Sequence, residues 1–248
     1  KPIKIEIARD DDRPVERIDR RTLDRANGVS FTDNGLEIAI IAGGDLWVMD
    51  TELREPKRVT KTAEEERSAL FAPDGQSLLF VSDAGGQTDI WKATRADSKK
   101  PWWLNNNFKL EKVTTHGAVK SHLSFSPDGS KMAYVSGRGN LVIADANGKN
   151  PKTFIESWNA PGYDWSPDGK WMVYSLYDND FNSDIWIKPL DGSRQPFNLS
   201  RHPYNERDPV WSPDGKVIAF VGAREEKDNV DIHLVDLRAE DHARNARD

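Results

Sequence analysis

One five-residue motif recurs five times along this 248-residue chain and constrains its fold more than any other feature. An aromatic residue begins each copy and glycine ends it, and the copies occupy residues 31–35, 71–75, 125–129, 165–169 and 211–215. Three copies carry Ser-Pro-Asp between the two ends. Proline presets φ, aspartate can accept from the backbone ahead of it, and glycine tolerates a positive φ. Each copy therefore predicts a tight turn.

Short apolar runs follow every turn and indicate β-strands. Each has four or five residues, which is strand length, and they lie at residues 38–41, 78–81, 132–135, 172–175 and 217–221. A polar loop, a second apolar run and a short strand-like piece complete most units. Four strands in about 40–45 residues are typical of one β-propeller blade. The sequence thus predicts an all-β fold, a β-propeller of about five four-stranded antiparallel blades.

The two ends of the chain bear on how such a ring would close. The last repeat offers a first, a second and a third strand but no fourth, whereas residues 15–18 resemble a fourth strand. We expect this amino-terminal segment to complete the last blade and close the ring. Residues 3–7 resemble a surplus third strand, which either adds at an edge or indicates a chain cut from a longer propeller. We assign residues 1–237 to the propeller domain and the polar residues 238–248 to a linker or tail.

Composition excludes several classes of protein. The chain carries 35 Lys and Arg against 41 Asp and Glu, a formal net charge of −6, which argues against nucleic acid as a partner. No apolar run approaches the roughly 18 residues of a membrane-spanning helix, so we predict no membrane span. The absence of cysteine excludes disulfides, thiolate zinc sites and a cysteine nucleophile. We expect a soluble protein, periplasmic or cytoplasmic, and composition does not choose between these compartments.

The turn motif, above all residues 125–129, 165–169 and 211–215, resembles the WD40-like PD40 repeat of TolB-type propellers. Residues 165–186 and 198–202 also resemble the propeller domain of tricorn-like serine peptidases. The resemblance implies a non-catalytic module that binds or gates peptide or protein substrates for a downstream peptidase domain. The alternative is a free-standing, periplasmic TolB-like propeller that binds other proteins. A third interpretation is an enzyme acting in the channel, which needs carboxylates that converge near the axis.

No catalytic motif stands out, and we expect this chain alone not to be an enzyme. It contains neither a Gly-x-Ser-x-Gly elbow nor a Gly-x-x-x-x-Gly-Lys phosphate loop. Residues 178–184 place oxygen side chains at alternate positions, as at the start of a calcium loop, but Ser183 and Pro189 replace the expected glycine and glutamate. A solvated hairpin loop is the preferred interpretation. We therefore predict no catalytic residue, no metal site and no cofactor.

A binding face is predicted at the mouth of the channel. In a propeller, loops from a fourth strand to the next first strand open on that mouth, as do loops between second and third strands. Mixed charge with aromatic side chains suits a peptide or protein better than a small apolar ligand. The predicted binding residues are Arg67, His122, Trp158, Tyr163, Tyr177, Asp180, Phe181, Tyr204, Glu206 and Arg207.

Two further segments carry expectations of their own. The interval between the second and third turns is 14 residues longer than that between the first and second, and the extra residues include Trp102, Trp103 and Phe108. Two interpretations remain open, because these aromatic residues could fold back onto the blade edge or dock another domain or protein. Residues 64–67 are highly charged, and we expect them to form a solvated loop.

Overall fold

The computed structural model describes residues 25–52, 55–115, 117–223 and 229–237. Within these residues the protein is all-β, as predicted, and it contains a single-turn 3-10 helix, η1 (Trp102–Leu104). No helix in these ranges is long and apolar enough to span a membrane. The strands form five antiparallel sheets, which we call blades and number in chain order.

The strands of the five blades follow one another without crossovers. Blade 1 comprises β1 (Val29–Phe31), β2 (Glu37–Ala42), β3 (Asp45–Asp50) and β4 (Lys57–Arg58), and blade 2 comprises β5 (Glu66–Phe71), β6 (Ser77–Ser82), β7 (Asp89–Arg95) and β8 (Phe108–Lys112). Blade 3 comprises β9 (Lys120–Phe125), β10 (Lys131–Ser136), β11 (Asn140–Asp145) and β12 (Lys152–Ile155). Blade 4 comprises β13 (Tyr163–Trp165), β14 (Trp171–Tyr177), β15 (Ser183–Pro189) and β16 (Phe197–Asn198). Blade 5 comprises β17 (Glu206–Trp211), β18 (Val217–Ala223) and β19 (Val230–Asp236).

Four blades have the predicted four antiparallel strands, and blade 5 has three within the described residues. The segments predicted to complete and follow it, residues 15–18 and 238–248, lie outside the described residues. Closure of the ring by the amino-terminal segment therefore stays a prediction.

The five repeated motifs form the predicted turns between the first and second strands. In the turn at residues 165–169, the Gly169 N–H donates to the Ser166 carbonyl at 2.8 Å, and the glycine has a φ of 66°. The Asp168 carboxylate accepts from the Ser166 hydroxyl at 2.6 Å and from the Lys170 N–H at 3.0 Å. These bonds lower the pKa of Asp168. The motif is thus a structural turn, because its polar groups already bond one another.

The turns of neighbouring blades touch. A Cβ placed on Gly129 would lie 3.1 Å from the Pro73 ring, so little space separates the two turns. The same relationship recurs at 3.9 Å between Gly169 and Pro127 and at 3.8 Å between Gly215 and Pro167. The glycine of one motif therefore contacts the proline of the preceding motif along blades 2 to 5.

The hydrophobic core consists of four buried layers, and each layer joins two consecutive blades. Leu46 of blade 1 and Phe71 of blade 2, for example, are 0 % and 5 % exposed in the first layer. The outward faces of the two end blades differ. Phe31 of blade 1, which is equivalent to Phe71, is 56 % exposed, and Ile232 of blade 5, which is equivalent to Leu46, is 74 % exposed. In the described part of the chain, both end faces of the row of blades are open.

Candidate functional site

The two predicted sets of loops share one face of the molecule, which we call the loop face. In blade 4, the Asn182 side-chain amide lies in the loop between the second and third strands. It donates at 2.8 Å to the His202 carbonyl, which lies in the loop leading to blade 5. In blade 2, the Glu65 N–H donates to the Asp83 carboxylate at 2.9 Å in the same way. The loop face is therefore braced by hydrogen bonds between the two sets of loops.

Three predicted residues meet on this face and form an aromatic cluster, Trp158, Tyr177 and Phe181. The Trp158 ring centroid lies 5.4 Å from that of Tyr177 and 5.5 Å from that of Phe181. Trp158 is 50 % exposed and Phe181 is 70 % exposed. Neighbouring Asp180 is also exposed, and its N–H donates to the Asp178 carboxylate at 2.9 Å. The cluster thus combines two solvent-exposed rings with an adjacent acidic loop.

Two predicted arginines are exposed on the first strands of blades 2 and 5. The Arg67 guanidinium pairs with the Glu65 carboxylate at 2.7 Å, and this bond lowers the pKa of Glu65. The Arg207 guanidinium lies 3.8 Å from the Asp208 carboxylate. Each arginine pairs with a carboxylate of its own segment, and both guanidinium groups remain accessible to solvent.

A β-bulge follows each of these arginines and fixes the direction of its side chain. The residue after Arg67 is Ser68, with a φ of 56°, and the residue after Arg207 is Asp208, with a φ of 54°. His122, with a φ of 51°, occupies the equivalent position in blade 3. Pairing to the second strand shifts register at these points. A shift of register changes the face on which the preceding side chains lie, which alternation alone does not predict.

Tyr163 does not contribute its hydroxyl to the loop face, contrary to the sequence prediction. Its single hydroxyl hydrogen can bond the carbonyl of His122 or that of Ala133, the latter at 3.0 Å, and its oxygen accepts from the Ser124 hydroxyl at 3.2 Å. Burial raises the pKa of Tyr163. Tyr163 therefore joins blade 4 to blade 3, whereas the His122 side chain is exposed, with its ring 3.0 Å from the Ser121 hydroxyl.

Glu206 is also unavailable, because its side chain is 0 % exposed. Its carbonyl accepts from the Ser183 hydroxyl at 2.8 Å, which ties blade 5 to the loop of blade 4. Tyr204, two residues earlier, is half-buried, with its ring 5.5 Å from the His202 ring. The prediction of a binding role for Glu206 at the surface is wrong, and Tyr204 stays a candidate with His202 beside it.

The docking role predicted for Trp102 is wrong, because this side chain is fully buried between blades 1 and 2. Its backbone N–H donates to the Glu37 carboxylate, and its indole N–H donates to the Gly75 carbonyl at 2.9 Å. Its ring stacks on Phe108 with a centroid distance of 5.9 Å. The insertion therefore folds back onto the protein, and Trp103 is the member of the pair that stays half-exposed.

The prediction of a solvated loop at residues 64–67 is wrong for Glu66, because this residue is only 2 % exposed. Its carboxylate accepts from the hydroxyls of Thr60, Thr62 and Ser82 at 3.0, 3.3 and 3.2 Å. Burial nevertheless raises the pKa of Glu66, and the three hydrogen bonds offset only part of that effect.

Lys120 begins the first strand of blade 3 as Glu66 begins that of blade 2, and it too is buried. Its ammonium donates to the Ala118 carbonyl and lies 3.7 Å from the Asp89 carboxylate. Burial lowers the pKa of Lys120. A common sequence position unites three buried charged residues, Glu66, Lys120 and Glu206, because each lies five residues before the aromatic residue of a turn motif. This shared position is the sequence signal from which their burial could have been predicted.

The segment that resembles a calcium loop forms a turn. The Asp178 carboxylate accepts from the backbone N–H groups of Asp180 and Asn182, both at 2.9 Å. Among the described residues, no group of three or more His, Asp or Glu side chains is arranged to hold a metal ion.

Comparison with solved structures identifies the fold as a β-propeller. The structure of a putative TolB from Agrobacterium tumefaciens superposes with a TM-score of 0.60 at 19 % identity, over 86 % of this chain and 77 % of that one. The tricorn protease structure gives a TM-score of 0.64 at 14 % identity, over 85 % of this chain and 20 % of that one. Oligogalacturonate lyase from Vibrio parahaemolyticus gives 0.64 at 16 % identity, over 86 % and 65 %. At these identities the likeness is one of fold.

Sequence comparison confirms the resemblance to TolB-like and tricorn-like propellers. A TolB homologue of Chlorobium luteolum is 34 % identical over 170 residues, which cover 66 % of this chain and 35 % of the relative. Tricorn protease homolog 1 of Streptomyces coelicolor is 26 % identical over 220 residues, which cover 86 % of this chain and 20 % of the relative. No protein-family model matches the chain. The chain thus spans about a third or less of the length of these two relatives.

Proposed function

We propose that this chain is a non-catalytic propeller module that binds extended peptide or protein segments on its loop face. The observation that carries the proposal is the aromatic cluster, in which Trp158 and Phe181 are half or more exposed while packing on each other. Exposed aromatic side chains are costly to hydrate and are enriched among the residues that dominate protein interfaces. A preassembled pair loses little conformational freedom on binding, which favours affinity.

Charge on the same face supports a peptide as the ligand. Arg67 and Arg207 are exposed and can complement peptide carboxylates, and Asp180 beside the cluster can complement basic groups. Such groups steer encounter and fix orientation, whereas the rings contribute apolar contact. The proposal needs no nucleophile and no metal in this chain. The likeness to a lyase and to peptidases is one of fold and adds no catalytic residue here.

The tricorn-like resemblance suggests one biological setting for this binding. There the module admits or positions peptides for a separate peptidase domain of a longer protein. The TolB-like resemblance suggests the other, a free-standing propeller that binds partner proteins. The parent reading frame distinguishes them, because a peptidase region downstream supports the first and a stop codon near residue 248 contradicts it.

The architectural part of the proposal is that residues 1–237 form five blades and that residues 15–18, which lie outside the described residues, complete blade 5, which has three described strands. Deleting residues 1–19 should then destabilise the protein by more than the roughly 0.5–3 kcal/mol of ordinary point substitutions. An unchanged melting temperature after the deletion would contradict completion of blade 5 by this segment.

Binding is tested with a fluorescein-labelled pool of random decapeptides, titrated by fluorescence anisotropy. The double variant Trp158→Ala, Phe181→Ala should weaken binding by about fivefold or more, because truncating an interface hot spot costs above about 1 kcal/mol. Phe197→Ala is the matched control, since Phe197 is 55 % exposed but lies on β16 and not on the loop face. All variants should melt like the wild type. Equal binding by the double variant would place the site elsewhere.

A further inference from the structure

A cavity of about 820 Å³ lies between blades 3 and 4, away from the aromatic cluster. We call it the cleft of blades 3 and 4. The residues that matter for its chemistry are Lys131, Lys152, Phe154, Trp165, Lys188 and Leu190. The volume lies within the roughly 300–1,000 Å³ that ligand-binding pockets typically have.

The repeat supplies an occupied counterpart of this cleft between blades 1 and 2. Trp102 fills that space, where it bonds Glu37 and Gly75 and packs edge-on against Phe71 with a centroid distance of 5.5 Å. By position in the repeat, Lys131 is equivalent to Glu37, Trp165 to Phe71 and Gly169 to Gly75. All three equivalents line the open cleft. The open cleft therefore has an aromatic residue, Trp165, where the occupied one has Phe71, and each of these two residues is 5 % exposed.

The occupant of the open cleft does not come from the loop of its own blade. In blade 2, the loop between the third and fourth strands, residues 96–107, carries Trp102. The corresponding loop of blade 4, residues 190–196, is shorter and contains no aromatic residue. The loop of blade 4 therefore supplies no ring to this cleft.

Charge shows what must accompany that ring. In the occupied cleft, Glu37 offers a carboxylate to the Trp102 N–H. In the cleft of blades 3 and 4, the equivalent residue is Lys131. Its ammonium is half-exposed and pairs with the Asp145 carboxylate at 2.6 Å. The repeat position that offers a carboxylate to the Trp102 N–H thus carries an ammonium group in the cleft of blades 3 and 4. Exposed pairs of this kind are weak and can exchange for a ligand carboxylate.

Two other lysines add to the positive charge. Lys152 is exposed at the cleft, and the Lys188 ammonium donates to the Phe154 carbonyl at 2.9 Å and lies 4.5 Å from the centre of its ring. The lining carboxylates are Asp145 and Asp191, so three ammonium groups face two carboxylates. The cleft consequently favours a ligand with net negative charge.

We propose that the cleft of blades 3 and 4 is a second docking site, which takes an aromatic side chain flanked by carboxylates on an acidic segment of a partner protein. The ring packs on Trp165 as Trp102 packs on Phe71, and the flanking carboxylates bond Lys131 and Lys152. This site is independent of the loop face, because the two share no residue.

The test uses the peptide Ser-Glu-Trp-Asp-Ser with an amino-terminal fluorescein, titrated against the full chain by anisotropy. The variant Lys131→Gln, Lys152→Gln should bind about fivefold or more weakly, because two charge-assisted contacts are lost. Lys109→Gln is the matched control, since Lys109 lies on blade 2 with its side chain 75 % exposed. Its affinity should equal that of the wild type.

A second variant fills the space. Thr153 is exposed and lines the cleft, so Thr153→Trp should place a ring there and abolish binding while the melting temperature stays the same or rises. The peptides Ser-Glu-Ala-Asp-Ser and Ser-Lys-Trp-Lys-Ser should bind far more weakly, since each lacks one half of the required chemistry.

Several outcomes would overturn the proposal. They are undetectable binding of the acidic Trp peptide, wild-type affinity in the Lys131→Gln, Lys152→Gln variant, or equal binding of the Ala peptide. Loss of binding in the Trp158→Ala, Phe181→Ala variant alone would move this peptide to the loop face. A wild-type dimer that dissociates in the lysine variant, seen by sedimentation equilibrium, would make a second copy of the chain the occupant. Failure of the random-pool experiment leaves this test unaffected, because it concerns other residues.

Discussion

The Asp164 carboxylate accepts the backbone N–H of Trp211 at 2.8 Å, although the two residues belong to consecutive blades. In blades 1 and 2, the Ser30 hydroxyl accepts the backbone N–H of Phe71 at 2.9 Å in the equivalent position. In each case, the residue before one turn motif's aromatic residue binds the aromatic residue of the next motif. One repeat position therefore carries an interblade hydrogen bond, with a carboxylate in one interface and a hydroxyl in the other.

This difference in chemistry predicts a difference in stability. Asp164→Ala should lower the free energy of unfolding by about 1.5–3 kcal/mol, and Ser30→Ala by about 0.5–1.5 kcal/mol, because bonds to charged groups contribute more. Denaturant titration of both variants measures the two losses. Equal losses would show that the charge on Asp164 adds nothing to the interblade bond.

Trp102→Ala should cost about 3–5 kcal/mol, because it leaves a large cavity between blades 1 and 2 and removes the donor to Gly75. Trp103→Ala is the matched control, since the neighbouring ring is only half-buried. Its cost should stay below about 1 kcal/mol. Thermal or urea unfolding separates the two variants, and similar costs would contradict the assignment of Trp102 to the core.

Glu66→Gln should change how stability depends on pH. Burial raises the folded-state pKa of Glu66, so the folded protein holds this proton more tightly than the unfolded chain does. The stabilisation linked to that proton is complete below the unfolded pKa of about 4.3 and is lost as pH rises through the folded pKa. Glutamine does not titrate, so the variant should gain stability relative to the wild type as pH rises over that window.

The measurement for Glu66 is the difference in melting temperature between variant and wild type across that range. Glu55→Gln serves as the control, since Glu55 is 61 % exposed at its side chain. A difference that is independent of pH at Glu66, or that matches the control, would contradict the effect of burial.

Arg67→Ala with Arg207→Ala should weaken peptide binding on the loop face and leave the melting temperature unchanged, because exposed ion pairs contribute little stability. Wild-type binding should also weaken as salt rises, since screening acts over about 10 Å at about 0.1 M. Anisotropy titrations at low and high salt test both statements. If binding by the double variant depends on salt as strongly as binding by the wild type, charges other than Arg67 and Arg207 cause the salt dependence.

Leu46→Ala and Ile232→Ala compare one repeat position in blade 1 and blade 5. Leu46 is fully buried, and its loss should cost about 2–5 kcal/mol. Ile232 is 74 % exposed, and its loss should stay within about 0.5 kcal/mol. Urea unfolding gives both values. A large cost at Ile232 would show that another segment covers the end face of blade 5.

Local chemistry made the blades predictable from sequence. The polar groups of a motif such as Ser-Pro-Asp-Gly form a turn by hydrogen bonding to one another. The apolar runs on either side are too short for helices that could bury a face, so they form short strands. The period of the repeat also places loops of the same kind on the same face. That is why Trp158, Tyr177 and Phe181, which are up to 23 residues apart in sequence, meet as an exposed cluster.

The direction of individual side chains was not predictable in the same way. Tyr163 and Glu206 begin strands, and whether the first residue of a strand faces solvent depends on register and on the neighbouring blade. Trp102 lies in a polar insertion, and its burial depends on the space between two blades, which no local pattern encodes. Sequence alone also left the cleft of blades 3 and 4 unseen, since its walls come from two separate repeats.

The contact between neighbouring turns has a consequence for how such a chain can evolve. Gly129 lies against Pro73, and Gly215 lies against Pro167, and the motifs at residues 125–129 and 165–169 each supply a proline to one neighbour and a glycine to the other. Duplicating one such repeat within a gene therefore duplicates both the proline and the glycine through which a turn contacts its two neighbours. The newly inserted unit meets compatible surfaces on either side without compensating mutations. The number of repeats can consequently change by whole units during evolution while the contacts between neighbouring turns stay the same.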